Sequence, residues 1–251
     1  MENIVQVGSE ELTQIPGYPL YKDMGLEQEF RVRAMTTLEE KIRLSSPGFN
    51  TLARVIQNCL VNNKDFDVRD LKLFDFQYLM YKVRIVTYGP GYPVTITCPH
   101  CNRAFDKTFD LSTLNVNEVP VGFTEPIKIG PLPVSKDVLE CRMLTARDYI
   151  ELPLESEEFL KRYPEYEGDP EFILDLCRRV ISVNGKEIPN LRTYLETMHA
   201  RDYQYFSSKF LEVTNSFGID TVIQVECPHC HKVHYVNLPM TSEFFRPTYR
   251  D

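Results

Sequence analysis

The tetrapeptide Cys-Pro-His-Cys occurs twice, as Cys98-Pro99-His100-Cys101 and as Cys227-Pro228-His229-Cys230. A C-x-x-C loop lets two thiolates reach one metal ion, and its tight turn aims backbone N–H groups at the sulfurs. Two such loops supply the four ligands of a tetrahedral, all-cysteine zinc site. A chain that uses both on one ion must bring together two points 129 residues apart.

Local context separates metal binding from thiol redox chemistry. A thioredoxin-like C-x-x-C opens a helix inside a βαβ pattern. Here each loop follows an alternating, strand-like stretch, Val94-Thr95-Ile96-Thr97 and Ile223-Gln224-Val225-Glu226. Mixed polar strand-like stretches follow it, Asn102 to Phe109 and His231 to Leu238. Strand–knuckle–strand is the layout of a zinc ribbon. The expected ligands are Cys98, Cys101, Cys227 and Cys230, holding one structural Zn2+ per chain. A closed four-thiolate site has no open position for substrate. His100, His229, His231 and His234 crowd the knuckles and leave open two separate sites of two cysteines plus histidine. Cys59, Cys141 and Cys177 lie in apolar periodic segments and read as small core residues.

The loops belong to a longer pattern of self-similarity. Upstream of them, Asp75-Phe76-Gln77-Tyr78 matches Asp202-Tyr203-Gln204-Tyr205. Val61-Asn62-Asn63-Lys64 matches Val183-Asn184-Gly185-Lys186. The stripe Leu52, Val55, Ile56, Cys59, Leu60 matches Ile173, Leu176, Cys177, Val180, Ile181, and Arg33 and Thr36 match Arg142 and Thr145. The order never breaks, which points to a tandem duplication. The expected organisation is an N-terminal arm at 1–18, repeat 1 with the first knuckle at 19–120, a linker at 121–130, repeat 2 with the second knuckle at 131–245, and a tail at 246–251.

Each repeat has one plan. A strand comes first, Glu29 to Ala34 or Val138 to Met143. A capping box then starts a helix, Thr36 with Glu39 or Thr145 with Asp148. A second helix carries the apolar stripe and ends in an Asn-Asn or Asn-Gly turn. A third helix begins at Asp75 or Asp202, each read as an N-cap rather than a catalytic acid. Phe76, Leu79, Met80 and Val83 form the buried face behind the first. The fold class expected is α+β, a duplicated strand–helices–β-hairpin unit whose halves share a four-cysteine zinc ribbon.

Two segments fall outside the pattern. Pro120 to Pro133 is rich in proline and glycine and reads as a linker. Glu151 to Glu171 is acidic and tyrosine-bearing; it reads as a solvated loop, with a partner-docking surface as the alternative. Met1 to Pro19 and Phe244 to Asp251 read as irregular arms.

Composition narrows the function. The 251 residues are 43% apolar and 25% charged, enough for an ordinary core. The net charge of −8 weighs against a phosphate-backbone partner, since only Arg103, Lys107 and Lys232 lie near the knuckles. A zinc-ribbon nucleic-acid binder nevertheless stays open as the alternative. A metalloenzyme with histidine ligands and an open position also stays open. No apolar run approaches the roughly 18 residues of a membrane span. Met1-Glu2-Asn3-Ile4 lacks a secretory layout, and seven cysteines argue against a disulfide scaffold. No Ser/His/Asp spacing, phosphate loop or H-E-x-x-H helix stands out. His199, the one histidine far from the knuckles, reads as a surface or cap residue.

The string Tyr92-Pro93-Val94-Thr95-Ile96-Thr97-Cys98-Pro99-His100-Cys101, closing a helix–turn–hairpin unit, resembles the baseplate hub and hub-assembly proteins of T-even-type contractile-tailed phages. The likeness is sharpest over residues 73–111. It implies a resident hub subunit or an assembly chaperone, with other tail and baseplate hub proteins as partners. It implies no chemistry and no small-molecule substrate. The locations implied are the host cytoplasm during assembly and the virion tail baseplate.

Overall fold

A computed structural model describes residues 10–46, 48–238 and 242–245. The first half runs β1 (Glu10–Gln14), β2 (Glu29–Arg33), α1 (Thr37–Ser45), α2 (Phe49–Cys59), α3 (Leu73–Tyr88), β3 (Gly91–Thr97), β4 (Ala104–Asp110) and β5 (Val116–Asn117). The second runs β6 (Ile127–Ile129), β7 (Leu139–Cys141), α4 (Ala146–Arg162), α5 (Pro170–Arg179), β8 (Val180–Val183), α6 (Leu191–Glu196), α7 (Ala200–Thr214), β9 (Gly218–Ile219), β10 (Val222–Glu226) and β11 (Val233–Asn237). The class is mixed helix and sheet. The sheets are small and antiparallel: β1–β2, β3–β4, β5–β9, β10–β11 and the three-stranded β6–β7–β8.

The same local devices recur in both halves. The capping boxes form at Thr36/Glu39 and Thr145/Asp148, satisfying N–H groups that the first helical turn leaves unpaired. A forked arginine at the end of β2 (Arg33) or just after β7 (Arg142) adds to each box acid. Arg33 reaches Glu39 at 3.0 and 3.2 Å, and Arg142 reaches Asp148 at 2.6 and 2.8 Å. After the second helix, an asparagine in left-handed conformation (Asn63, φ 52°; Asn184, φ 54°) turns the chain back along the first strand. The Asn62 and Asn184 side chains accept from the Arg31 and Val138 N–H groups at 2.7 and 2.9 Å. The Asn62 amide also donates to Glu29 O, and that of Asn184 to Asp137 Oδ1, both at 2.7 Å.

Two buried clusters form the interior. Val55, Ile56, Leu71, Phe76, Leu79 and Val83 anchor the first, and Ile129, Leu139, Ile173, Leu176, Phe206 and Phe210 the second. The halves interlock. Val225 and Leu238, from the second hairpin region, belong to the first cluster. The Leu73 N–H donates to Leu144 O and the Ala146 N–H to Leu71 O. Arg147 pairs with Asp67 and Asp70, Lys72 with Glu125, and β5 with β9.

The structure corrects three readings of the sequence. First, Asp75 and Asp202 are not N-caps. Lys72 and His199 hold those positions, and His199 Nδ1 accepts from the Arg201 N–H at 3.1 Å. Asp75 is fully buried and accepts from the Gly17 N–H and the Tyr21 hydroxyl, both at 2.7 Å. Asp202 accepts from the Val134 and Ser135 N–H groups at 2.6 and 2.9 Å. Each carboxylate therefore latches the connection between the first two strands of its own half, β1–β2 for Asp75 and β6–β7 for Asp202. Local spacing suggested a cap because the true partners lie more than fifty residues away.

Second, the arm and the linker carry structure. β1 lies within 1–18 and pairs along all of β2; Ile15 is buried. β6 lies within 121–130 and pairs with β7. At the other end Phe244 and Phe245 are buried, Phe244 with its ring centroid 4.9 Å from that of Tyr81. Residues 1–9 and the tail at 246–251 lie outside the described residues.

Third, most of the acidic stretch is helix. α4 continues through Arg162 with Pro153 inside it, buries Leu152 and Ser156, and leaves Leu154 and Leu160 exposed. Asp169 then caps α5.

Gly17 marks the tightest approach of the N-terminal latch. A Cβ there would sit 2.0 Å from Asp75 Oδ2. Its φ of −89° suits any residue, so the demand is purely steric. Gly17→Ala is expected to cost about 1–3 kcal/mol by overpacking, read from denaturant unfolding. An unchanged midpoint would show that the latch yields freely.

Candidate metal centre

Each hairpin ends in the same knuckle. In the first, the Cys98 N–H donates to Arg103 O at 3.0 Å and the Asn102 N–H to Cys98 O at 2.9 Å. In the second, the Cys227 N–H donates to Lys232 O at 3.1 Å and the His231 N–H to Cys227 O at 2.9 Å. Asn102 and His231 share a left-handed φ of 58° and 57°. The ladders below differ in length, seven residue pairs for β3–β4 and five for β10–β11. Tyr92, Ile96 and Phe109 bury the inner face of the first hairpin, and Val225 and His234 that of the second.

The four sulfurs meet. Cys98 Sγ lies 3.7 Å from Cys230 Sγ, and Cys101 Sγ 3.7 Å from Cys227 Sγ. All four lie within 4.8 Å of one another. A disulfide requires about 2.05 Å, so these are four separate sulfurs. A regular tetrahedron with sulfurs about 2.3 Å from its centre has edges of about 3.8 Å. The donor set, its count and its spacing fit a zinc-type ion. Cys98 and Cys227 are fully buried; Cys101 and Cys230 are half-buried.

Electrostatics at the cluster follow from that crowding. Burial works to raise the Cys98 thiol. The His100 and Cys101 N–H groups and the Cys227 and Cys230 sulfurs outweigh it, and Cys98 ionises at about 6. For Cys230 the Lys232 N–H acts downward, but burial and the three other sulfurs push it up to about 11. Sulfurs this close share protons as one group. A cation in their midst is what lets all four stay ionised.

The structure brings no histidine into this cluster. Among the described residues, the four cysteines are the group of ligand-type side chains near enough to share an ion. That arrangement replaces the reading of two separate cysteine–histidine sites. His100 and His229 are exposed at the knuckle tips, and His231 Nδ1 lies 3.1 Å from Glu226 Oε1. His234 is buried edge-on to the His100 and Phe105 rings, at 6.2 and 6.4 Å between centroids. Arg103, Lys107 and Lys232 are exposed. The other cysteines are inert core groups: burial pushes Cys59 and Cys141 up to about 12 and Cys177 to about 11. Sequence reasoning missed Arg84 at the root of the first hairpin. Its place four residues after Met80, on the buried face of α3, was the available signal.

No helix among the described residues is long and apolar enough to cross a membrane. No curated protein and no solved structure matches the chain. A family model does, over residues 18–246, and its description is T4 bacteriophage base plate protein.

Proposed function

The chain belongs to the T4 bacteriophage base plate protein family, and from that premise we propose that it is a non-enzymatic structural or assembly protein of the baseplate hub, shaped by one zinc ion. The family supports a structural role in the phage tail, with other tail proteins as partners. The hub assignment rests on the likeness around the first knuckle.

One observation carries the metal reading: sulfurs from two distant hairpins stand at the edge length of a thiolate tetrahedron. Cys98, Cys101, Cys227 and Cys230 then ligate one Zn2+ per chain. With four thiolates bound the ion has no free position, so its role is to fix the hairpins relative to each other. The duplicated plan belongs to the same reading. Units near 19–120 and 131–245, each extended upstream by its own short strand, reuse the arginine fork, the asparagine turn and the helix-borne latch. Such a protein acts by presenting a rigid surface, in the host cytoplasm during assembly and in the virion tail.

The test is recovery of tagged chain from infected cells, together with the protein content of purified virions. Co-purification with other baseplate proteins is expected, and one zinc per chain by elemental analysis. Recovery with nucleic acid alone, or a chain free of metal, overturns the proposal.

A further inference from the structure

Arg84 is a buried cation with no carboxylate partner among the described residues. It lies on α3, 2% exposed. Its Nη1 donates to Gly89 O at 2.6 Å and its Nη2 to Gly91 O at 2.8 Å. The guanidinium carbon sits 5.4 Å from the ring centroid of Tyr88 and 5.8 Å from that of Tyr92. Nε has no partner among the described residues. Desolvating a guanidinium is costly, and neither the helix nor the core requires it. A leucine or methionine would fill the same place without that cost.

What Arg84 does hold is the turn from which the first hairpin springs. Gly89 has a φ of 81°, a conformation suited to glycine, and it ends α3. Pro90 O accepts the Leu111 N–H at 2.9 Å from the returning side. Arg84 clamps the carbonyls on both sides of Pro90, while Tyr92 packs beneath it and against Phe244. The hairpin is a lever. Seven residues of β3 at about 3.3 Å each put Cys98 roughly 23 Å from that root, so a tilt of about 10° carries its sulfur about 4 Å. That displacement equals a whole edge of the sulfur cluster, 3.7 Å.

We propose that Arg84 is a positioning residue of the metal centre: by clamping Gly89 O and Gly91 O it sets the angle at which the first hairpin presents Cys98 and Cys101 to the second. The proposal rests on the reading of the four cysteines as metal ligands. Arg84 touches no ion; it acts through the backbone at the hairpin root. Its planar fork spans two carbonyls, which an ammonium group does not.

The experiment is Co2+ titration of the purified full chain, followed by thiolate-to-metal charge transfer and the d–d bands of a tetrahedral site. Wild type is expected to bind one Co2+ per chain. Arg84→Met is expected to keep its far-ultraviolet circular dichroism but to bind about 10- to 100-fold more weakly, with weaker d–d bands. Arg84→Lys, with one carbonyl contact restored, falls between. Ile56→Val, which loosens the same core away from the root, is expected to keep wild-type affinity. Unchanged affinity and spectrum in Arg84→Met overturn the proposal, and so does an equal loss in Ile56→Val. Should Arg84→Met not fold, unchanged affinity in Arg84→Lys overturns it instead. A wild-type chain that binds no Co2+ overturns the metal reading itself, a result distinct from either.

Discussion

On the reading of the four cysteines as zinc ligands, a Cys227→Ser chain is expected to fall from one ion per chain to none and to unfold at lower temperature. Cys227 is fully buried and its sulfur faces Cys101 at 3.7 Å. Serine replaces a soft thiolate by a hydroxyl that stays protonated, and three ligands hold zinc far less tightly than four. A site that sees free ion at a thousand times its Kd adds about 4 kcal/mol to folding. For a chain this long each kcal/mol is worth about 2–4 °C, so the expected fall in Tm is roughly 8–16 °C. Chelation of the wild-type protein should give the same fall, and chelation of the variant none. The loss should be local. Two separate buried clusters and the Arg147–Asp67/Asp70 and β5–β9 contacts hold the halves without the ion. Faster hydrogen exchange should therefore concentrate in β3–β4 and β10–β11. Wild-type zinc content in the variant would refute the ligand assignment.

Asp75→Asn should change the dependence of stability on pH. Burial pushes the Asp75 carboxyl up to about 7, against the Gly17 N–H, the Tyr21 hydroxyl and the Lys72 charge, which pull it down. Tyr21, which bridges Asp75 and the Lys72 N–H, is itself pushed upward, first by burial and then by the Asp75 charge, with Glu125 adding a smaller effect. In an unfolded chain an aspartate ionises near 3.9. The folded state thus holds this proton more tightly than the unfolded state does. The stability so gained is fully present below about pH 4 and is lost as the pH rises through about 7, on the order of 4 kcal/mol in all. Asparagine has no proton to lose. Relative to wild type the variant should therefore gain stability steadily from pH 4 to 7 and then level off. Part of the gain is offset, because the amide must donate to Tyr21 and leaves the tyrosine hydroxyl without its acceptor, about 1–3 kcal/mol.

Comparing the two chains is necessary because other carboxylates act in the opposite sense. Burial works to raise Glu39, but Arg33 and Thr36 hold it at about 2, so its contribution is lost as the pH falls through that value. Asp148 is lowered by Arg142 and Thr145 in the same way, despite its burial. These terms cancel in the difference between wild type and Asp75→Asn. A pH-independent difference would show that Asp75 does not titrate in this range.

The metal-binding candidates were legible because each cysteine pair brings its own context: alternation before, a tight turn within, alternation after. The capping boxes at Thr36 and Thr145 were legible for the same reason, since all their partners lie within three residues. Asp75 and Asp202 looked like caps by that local logic, yet their partners at Gly17, Tyr21, Val134 and Ser135 belong to other elements. β1 has one apolar residue, Leu12, which is exposed while Thr13 is buried, and β6 is only three residues long, so their pairing partners decide that they are strands. Glu151–Arg162 looked like loop because acid-rich composition and Pro153 disguised the later turns of a helix in which, beyond Asp148, Leu152 and Ser156 are the buried residues. Arg84 sat in plain view on an apolar helix face, but a pattern of hydrophobic positions cannot say that a carbonyl pair awaits a guanidinium there.

The spacing of the knuckles along the chain has a consequence for how the protein is made. A ribosome delivers Cys98 and Cys101 first and Cys227 and Cys230 only 129 residues later. Until the second pair emerges, the nascent chain offers only two thiolates, too few for tight capture. On the four-thiolate reading, firm retention of zinc certifies that translation has passed residue 230 and that both hairpin tips have docked. Copies terminated before residue 230 would be left metal-free with splayed tips, chemically distinguishable from chains that carry both knuckles before any of them reaches a growing tail.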